Sequence, residues 1–197
     1  MFQTDAIIDM ARKNKGMITS GMITALNFKR ATLKYLTEKR LLVKVQRGLY
    51  ALPDAFEDEF VNLQTRYGRG IFSLETALFL HNLTDKPPAA YTMSFPASYN
   101  LTSPKKTGIL CKSLKEPLYS IGVVYVITPA GNKVRAYNAE RTLCDILRTV
   151  SRADVQAVST AFRQYVAGSV KNIPLLSQYA EMLKVEKKLR SYLEVLL

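Results

Sequence analysis

At 197 residues the chain suits one domain or two small ones and is long enough to bury a core. With 48% hydrophobic and 22% charged residues it has an ordinary globular composition, and its formal net charge of +12 favours a polyanionic partner, nucleic acid or an anionic membrane surface. No apolar run reaches bilayer length, and a single histidine (His81) with no CxxC argues against a zinc site, so neither a membrane-spanning role nor a metal centre is expected.

The charge is uneven. Residues 1–52 hold ten Lys/Arg against three Asp/Glu, a balance of +7, and the rest of the chain carries +5. The N-terminal stretch MFQTDAIIDMARKNK carries acids early and has no small-residue cleavage site, so it does not read as a signal peptide. Cys111 and Cys144 stand far apart and read as buried thiols of a reducing, cytoplasmic protein.

In chain order, Ala6, Ile7, Met10 and Ala11 form a helical stripe behind Thr4 or Asp5 as N-cap, and Gly16 ends it. Thr19 or Ser20 caps a second helix over 21–26, Asn27-Phe28 turns, and a third helix spans about 29–39. Strands over 41–45 and 49–52 flank a tip at Gln46-Arg47-Gly48, where Gly48 supplies the positive φ of a tight hairpin. Three helices and a hairpin make a winged helix-turn-helix over residues 1–53.

A connecting helix over 55–67 follows, with Phe56, Phe60, Leu63 and Tyr67 on one side and Glu57, Asp58 and Glu59 in its first turn, within a linker of residues 54–70. Ser73 caps a helix over 74–83. Segments 91–95, 108–114 and 121–128 read as strands, and the continuous run GVVYVIT predicts that the last is buried. A strand over 133–137 and four helices follow: 139–150 capped by Asn138, 153–167 capped by Ser151, 174–183, and 185–197. The expected fold is α+β: the N-terminal winged helix, then a mixed α/β domain over 71–197 ending in a helical bundle.

On a helical wheel of the third helix, Leu33 and Leu36 share one face, flanked by Lys29, Thr32 and Arg40, while Ala31, Lys34, Tyr35 and Glu38 fall opposite. A recognition helix needs a small residue for close approach and cations in its first turns. Arg30 and Lys34 have the reach for phosphates or guanine edges, and Lys29, Thr32 and Tyr35 for phosphates. Thr19 and Ser20 stand at a helix start, where backbone N–H groups grip phosphate, and Arg47 at the tip suits an adjacent minor groove. Glu38 would repel phosphate and is expected to point away. Any one lysine reads equally as part of a solvated face; helix order, charge and wing together carry the DNA-binding expectation.

A second basic group, Lys105, Lys106, Lys112, Lys115, Lys133 and Arg135, has two readings: a solvated surface, or a contact with flanking DNA, RNA or a protein partner. Glu140-Arg141-Thr142 with Asp145 reads as a helix held by charge pairs, Arg141 and Asp145 being an i,i+4 pair. His81 ends an apolar helix and reads as structural. GxxxxGK[ST], HExxH and GxSxG are missing, so no catalytic residue, cofactor or enzymatic activity is expected.

Three stretches carry a family resemblance. RATLKYLTEKRLLVKVQRGLYALPD, GRGIFSLETALFLHNLTDKPP and VRAYNAERTLCDILR resemble, in order, the winged helix, the start of the C-terminal domain and the ERT-L-D helix of the AbiEi antitoxins of abortive-infection toxin–antitoxin pairs. One departure is Lys29, where such helices often carry a Ser-like N-cap; its loss costs about 1 kcal/mol and leaves a cation within reach of phosphate. The resemblance implies a cytoplasmic autorepressor that binds inverted repeats in its own promoter. It implies a monomer in solution, two copies per operator, and an antitoxin domain over 71–197. That domain would counteract a nucleotidyltransferase-like toxin without a stable complex. Such toxins carry Gly-Ser followed by paired carboxylates; here Gly168-Ser169 precedes VKNIPLL, which has none. The rival reading is an RNA-binding or protein-interaction winged-helix module with no toxin partner.

Overall fold

The computed structural model describes residues 2–53, 58–148 and 154–196. Two compact units divide the chain: Met1–Gly68 with Ile127–Val134, and Arg69–Val126 with Arg135–Leu197.

The first unit opens with α1 (Phe2–Lys13), whose Ile7 and Ala11 are wholly buried. Strand β1 (Met17–Thr19) leads directly into α2 (Ser20–Ala25), and α3 (Ala31–Glu38) follows. Strands β2 (Val43–Gln46) and β3 (Leu49–Ala51) complete a three-stranded antiparallel sheet of order β1-β3-β2. The sequence shows no sign of β1, which has three residues and borrows its pairing from β3 with Met17 opposite Ala51. The hairpin departs from its expected form in one respect: its register shifts between Lys44 and Gln46, so β2 is bulged before the tip. Gly48 has the expected positive φ, +83°. Ile7, Ala11, Ile18, Ile23, Leu33, Leu36 and Leu42 form one core, to which each large aliphatic side chain contributes about 1.5–3 kcal/mol.

Helix α4 (Glu59–Arg66) lies within the connecting helix expected from sequence, but Asp58 is its N-cap and not part of its first turn. Phe56 and Glu57, assigned to the same helix, lie outside the described residues. Asp58 Oδ1 accepts from Phe60 N at 3.0 Å and Val61 N at 3.4 Å. Its Oδ2 accepts from Thr128 Oγ1 and, at 3.0 Å, from Asn132 Nδ2. A carboxylate only 3% exposed is thereby surrounded by donors, as a buried charge must be. Those partners belong to the turn Pro129-Ala130-Gly131-Asn132, which sequence distance alone would place elsewhere.

The second unit holds a five-stranded sheet of order β6-β5-β4-β8-β7, built from β4 (Ile71–Phe72), β5 (Thr92–Pro96), β6 (Leu110–Leu114), β7 (Val123–Ile127) and β8 (Lys133–Tyr137). β4 pairs antiparallel with β5 and parallel with β8, and β5 pairs parallel with β6. β7 corrects an expectation. The apolar run predicts a buried strand, yet β7 lies at the sheet's edge with Tyr125 73% exposed. A continuous apolar run does not distinguish a central strand from an edge strand.

The helices of this unit are α5 (Leu74–Leu80), α6 (Thr102–Lys106), α7 (Ala139–Leu147), α8 (Val155–Ala167), α9 (Ile173–Leu183) and α10 (Glu186–Leu196). The short α6 was not foreseen, and the expected cap Ser151 lies outside the described residues. Every residue of α7 from Glu140 to Leu147 is buried, and it packs against α5, α8, α9 and α10. Leu143, Cys144, Leu147, Phe162, Leu176 and Tyr179 are among the side chains of this core. The whole is a mixed α+β structure in which, among the described residues, no helix is long and apolar enough to cross a membrane.

Candidate nucleic-acid interface

The surface of α3 follows from its wheel. Leu33 and Leu36 are buried, Thr32 is half-buried, and Ala31, Lys34, Tyr35 and Glu38 are exposed. Three small features set its chemistry. Lys34 Nζ lies 3.9 Å from Glu38, an exposed pair of little energetic weight, so Glu38 stands beside the cation rather than away from it. Lys39 Nζ sits 5.9 Å from the Tyr35 ring centroid. Arg30 Nε donates to Thr24 Oγ1 at 2.9 Å, which fastens the arginine to α2.

The start of α3 differs from the sequence-based expectation. The N-cap position falls on Arg30, not Lys29, and no side chain caps it. Thr32 N and Leu33 N instead bond to the carbonyls of Lys29 and Arg30, at 3.0 and 3.1 Å. Lys29 is therefore exposed in the turn ahead of the helix.

Thr19 is committed to structure: its Oγ1 accepts from Met22 N at 3.2 Å as the N-cap of α2. Ser20 N donates to Gly48 O at 2.8 Å, which sets the hairpin tip beside the start of α2. A Cβ at Gly48 would lie 3.1 Å from Ser20 Oγ at a φ of +83°, so both space and backbone conformation call for glycine. Arg47, next to it, is exposed. The eight residues expected to bind DNA thus occupy the start of α2, the α3 segment and the hairpin tip of one unit.

The second basic group is not one patch. Lys105 and Lys106 end α6, Lys112 lies on β6, and Lys115 lies just beyond it. Lys105 is near enough to Cys111 to oppose the upward push that burial gives that thiol. Arg135 is on β8, with β5 and β4 between it and β6, about 14 Å away at strand spacing. Lys133 belongs to the first unit, where it lines a cleft of about 500 Å³ together with Lys13 and Lys15. The Lys15 ammonium fills the space a Cβ at Gly131 would need. Nothing in sequence order links these three lysines; the turn beside Asp58 brings them together.

The remaining polar residues are structural in geometry. Arg141 Nε bonds Asp145 Oδ2 at 2.8 Å, and the guanidinium lies 4.8 Å from the Tyr137 ring centroid with no exposed surface. Tyr165 donates to Glu140 Oε1 at 2.9 Å. His81 Nε2 is 2.7 Å from Tyr137 O, and burial lowers its pKa. A neutral imidazole donating from Nε2 fits both facts. Burial also pushes the Cys144 thiol up to about 12, while Cys111 is half-buried.

No curated protein matches the chain. The crystal structure of the RV2827C protein from Mycobacterium tuberculosis is similar with a TM-score of 0.54 at 14% identity, over 89% of this chain and 70% of that one. At that identity the likeness is one of fold. Residues 5–53, which run from α1 through β3 and carry α3 and the hairpin tip, match the family model of the AbiEi antitoxins, described as transcriptional regulators.

Proposed function

We propose that the chain is an antitoxin and transcriptional autorepressor of the AbiEi type, acting in the cytoplasm. Its first unit is a winged helix that binds inverted repeats in its own promoter. The observation that carries this reading is the exposed Ala31, Lys34 and Tyr35 face of α3, with Arg30 and Arg47 beside it, inside the segment that matches the family. Ala31 permits close approach in the major groove, Arg30 and Lys34 meet base edges and phosphates, and Arg47 enters the neighbouring minor groove. Phosphate contacts supply affinity, the few base contacts supply register, and bound protein excludes polymerase. Two monomers occupy one operator. The second unit counteracts a nucleotidyltransferase-like toxin without forming a stable complex with it.

The test is fluorescence anisotropy with the duplex upstream of the gene against a scrambled duplex, over a salt series. The upstream duplex binds more tightly, and log affinity falls by about 0.9 per phosphate neutralised for each decade of salt. Equal, weak binding to both duplexes would leave charge without specificity and overturn the reading.

A further inference from the structure

A pocket of about 310 Å³ lies wholly within the second unit, in the size range of small-molecule sites. Ser73, between β4 and α5, and Ser94, on β5, contribute hydroxyls that are 1% and 2% exposed. Ser94 Oγ donates to Ser73 Oγ at 2.9 Å, which leaves the Ser73 proton to be donated elsewhere. Lys112 on β6 is the register partner of Ser94, so the two side chains rise on the same face of the sheet. Asp145 and Arg148, at the end of α7, supply another part of the lining.

The charge balance identifies the ligand. Asp145 is met by Arg141 at 2.8 Å and by Arg148 at 3.5 Å, so its negative charge is already matched. Counting Lys112, Arg141 and Arg148 against Asp145 leaves the pocket region two positive charges in excess. Donors dominate the lining: an ammonium, a guanidinium and two hydroxyls. A planar carboxylate carries one charge, whereas a phosphate monoester carries ≈ −1.5 to −2 at neutral pH and offers three acceptor oxygens.

A second observation points to the same place. Leu74, which lines the pocket, has a φ of +51°. A left-handed leucine is a true backbone outlier, and such outliers concentrate at ligand sites, where the surrounding structure holds them. This one sits directly after Ser73 and fixes the direction in which that hydroxyl emerges.

We propose that this pocket binds a phosphate dianion, free or carried on a small monoester, held by Lys112 and Arg148 and hydrogen-bonded by the Ser73–Ser94 pair. It is a site separate from the nucleic-acid interface and does not depend on that interface being correct.

The experiment is isothermal titration of the full chain with inorganic phosphate, ribose 5-phosphate and adenosine monophosphate, in chloride buffer at fixed ionic strength. Lys112→Ala, Arg148→Ala and the control Lys133→Ala are titrated in parallel, with each variant's melting temperature recorded. One saturable site is expected for at least one probe, weakened tenfold or more by Lys112→Ala and by Arg148→Ala and unchanged by Lys133→Ala. An ester that binds more tightly than inorganic phosphate identifies the monoester as the source; equal affinity identifies free phosphate. Absence of saturable binding by all three probes overturns the proposal. So does binding that survives Lys112→Ala in a folded protein, or that falls equally in Lys133→Ala, because either result means diffuse attraction to a basic chain.

Discussion

Arg30 has five N–H donors, and the bond from Nε to Thr24 orients the fork while leaving other donors to face a groove. Arg30→Ala and Lys34→Ala are each expected to weaken promoter binding by about 1–3 kcal/mol if they read bases. Arg30→Lys should fall nearly as far, since an ammonium cannot hold Thr24 and present a planar fork together. Unchanged affinity in folded variants would remove α3 from the interface. His81 makes a different claim. Its folded pKa lies below the ordinary value of 6.5, so the unfolded chain takes up the proton first. The stability it contributes is complete above about pH 6.5 and declines as pH falls toward the folded value. The slope is at most about 1.4 kcal/mol per pH unit. Chemical denaturation of wild type and His81→Gln between pH 7.5 and 5.5 should show a shallower decline in the variant.

Within α7, Arg141 and Asp145 form a buried pair whose worth lies in being intact. Asp145→Asn leaves a guanidinium without exposed surface facing no full counter-charge, and a loss of about 3–5 kcal/mol is expected in urea denaturation. The i,i+4 spacing of this pair was legible in the sequence. Its burial was not, because a charge pair on a helix usually faces water. Helix ends show the same limit. Asn138 is the expected N-cap of α7 and accepts from Arg141 N at 2.9 Å. The start of α3 was misplaced by one residue because Arg30 turns helical on backbone bonds alone. The apolar faces of α1 and α3 were read correctly, since a 3.6-residue period survives in any environment. The position of β7 in its sheet was missed, since strand order depends on partners far away in the chain. At the end of α9, Lys184 adopts φ +57° where glycine is preferred. Lys184→Gly should raise stability by up to about 1 kcal/mol, once the unfolded-state entropy of glycine is set against the strain removed.

At the scale of the molecule, the proposed functions belong to separate units, so they should separate by mutation. A full-length chain carrying Arg30→Ala and Lys34→Ala is expected to lose promoter binding yet still protect cells from the toxin. Loss of protection with a retained fold would mean that repression and protection share one surface. The candidate interface was largely legible: all eight of its residues come from one contiguous segment, and segment-level pattern is what sequence reading sees. The basic cleft was not, because Lys133 reaches Lys13 and Lys15 only through a turn that returns from the middle of the chain.

That returning turn sets a clock on biosynthesis. The carboxylate at the head of α4 waits for hydroxyl and amide donors that are translated 70 and 74 residues later. At about 5–20 residues per second the ribosome needs roughly 4–15 s to deliver them. For that interval the nascent first unit holds a charge it cannot yet bury. Ribosome-stalled chains ending before Thr128 should therefore be cleaved by protease near Asp58 more readily than chains stalled well after Asn132.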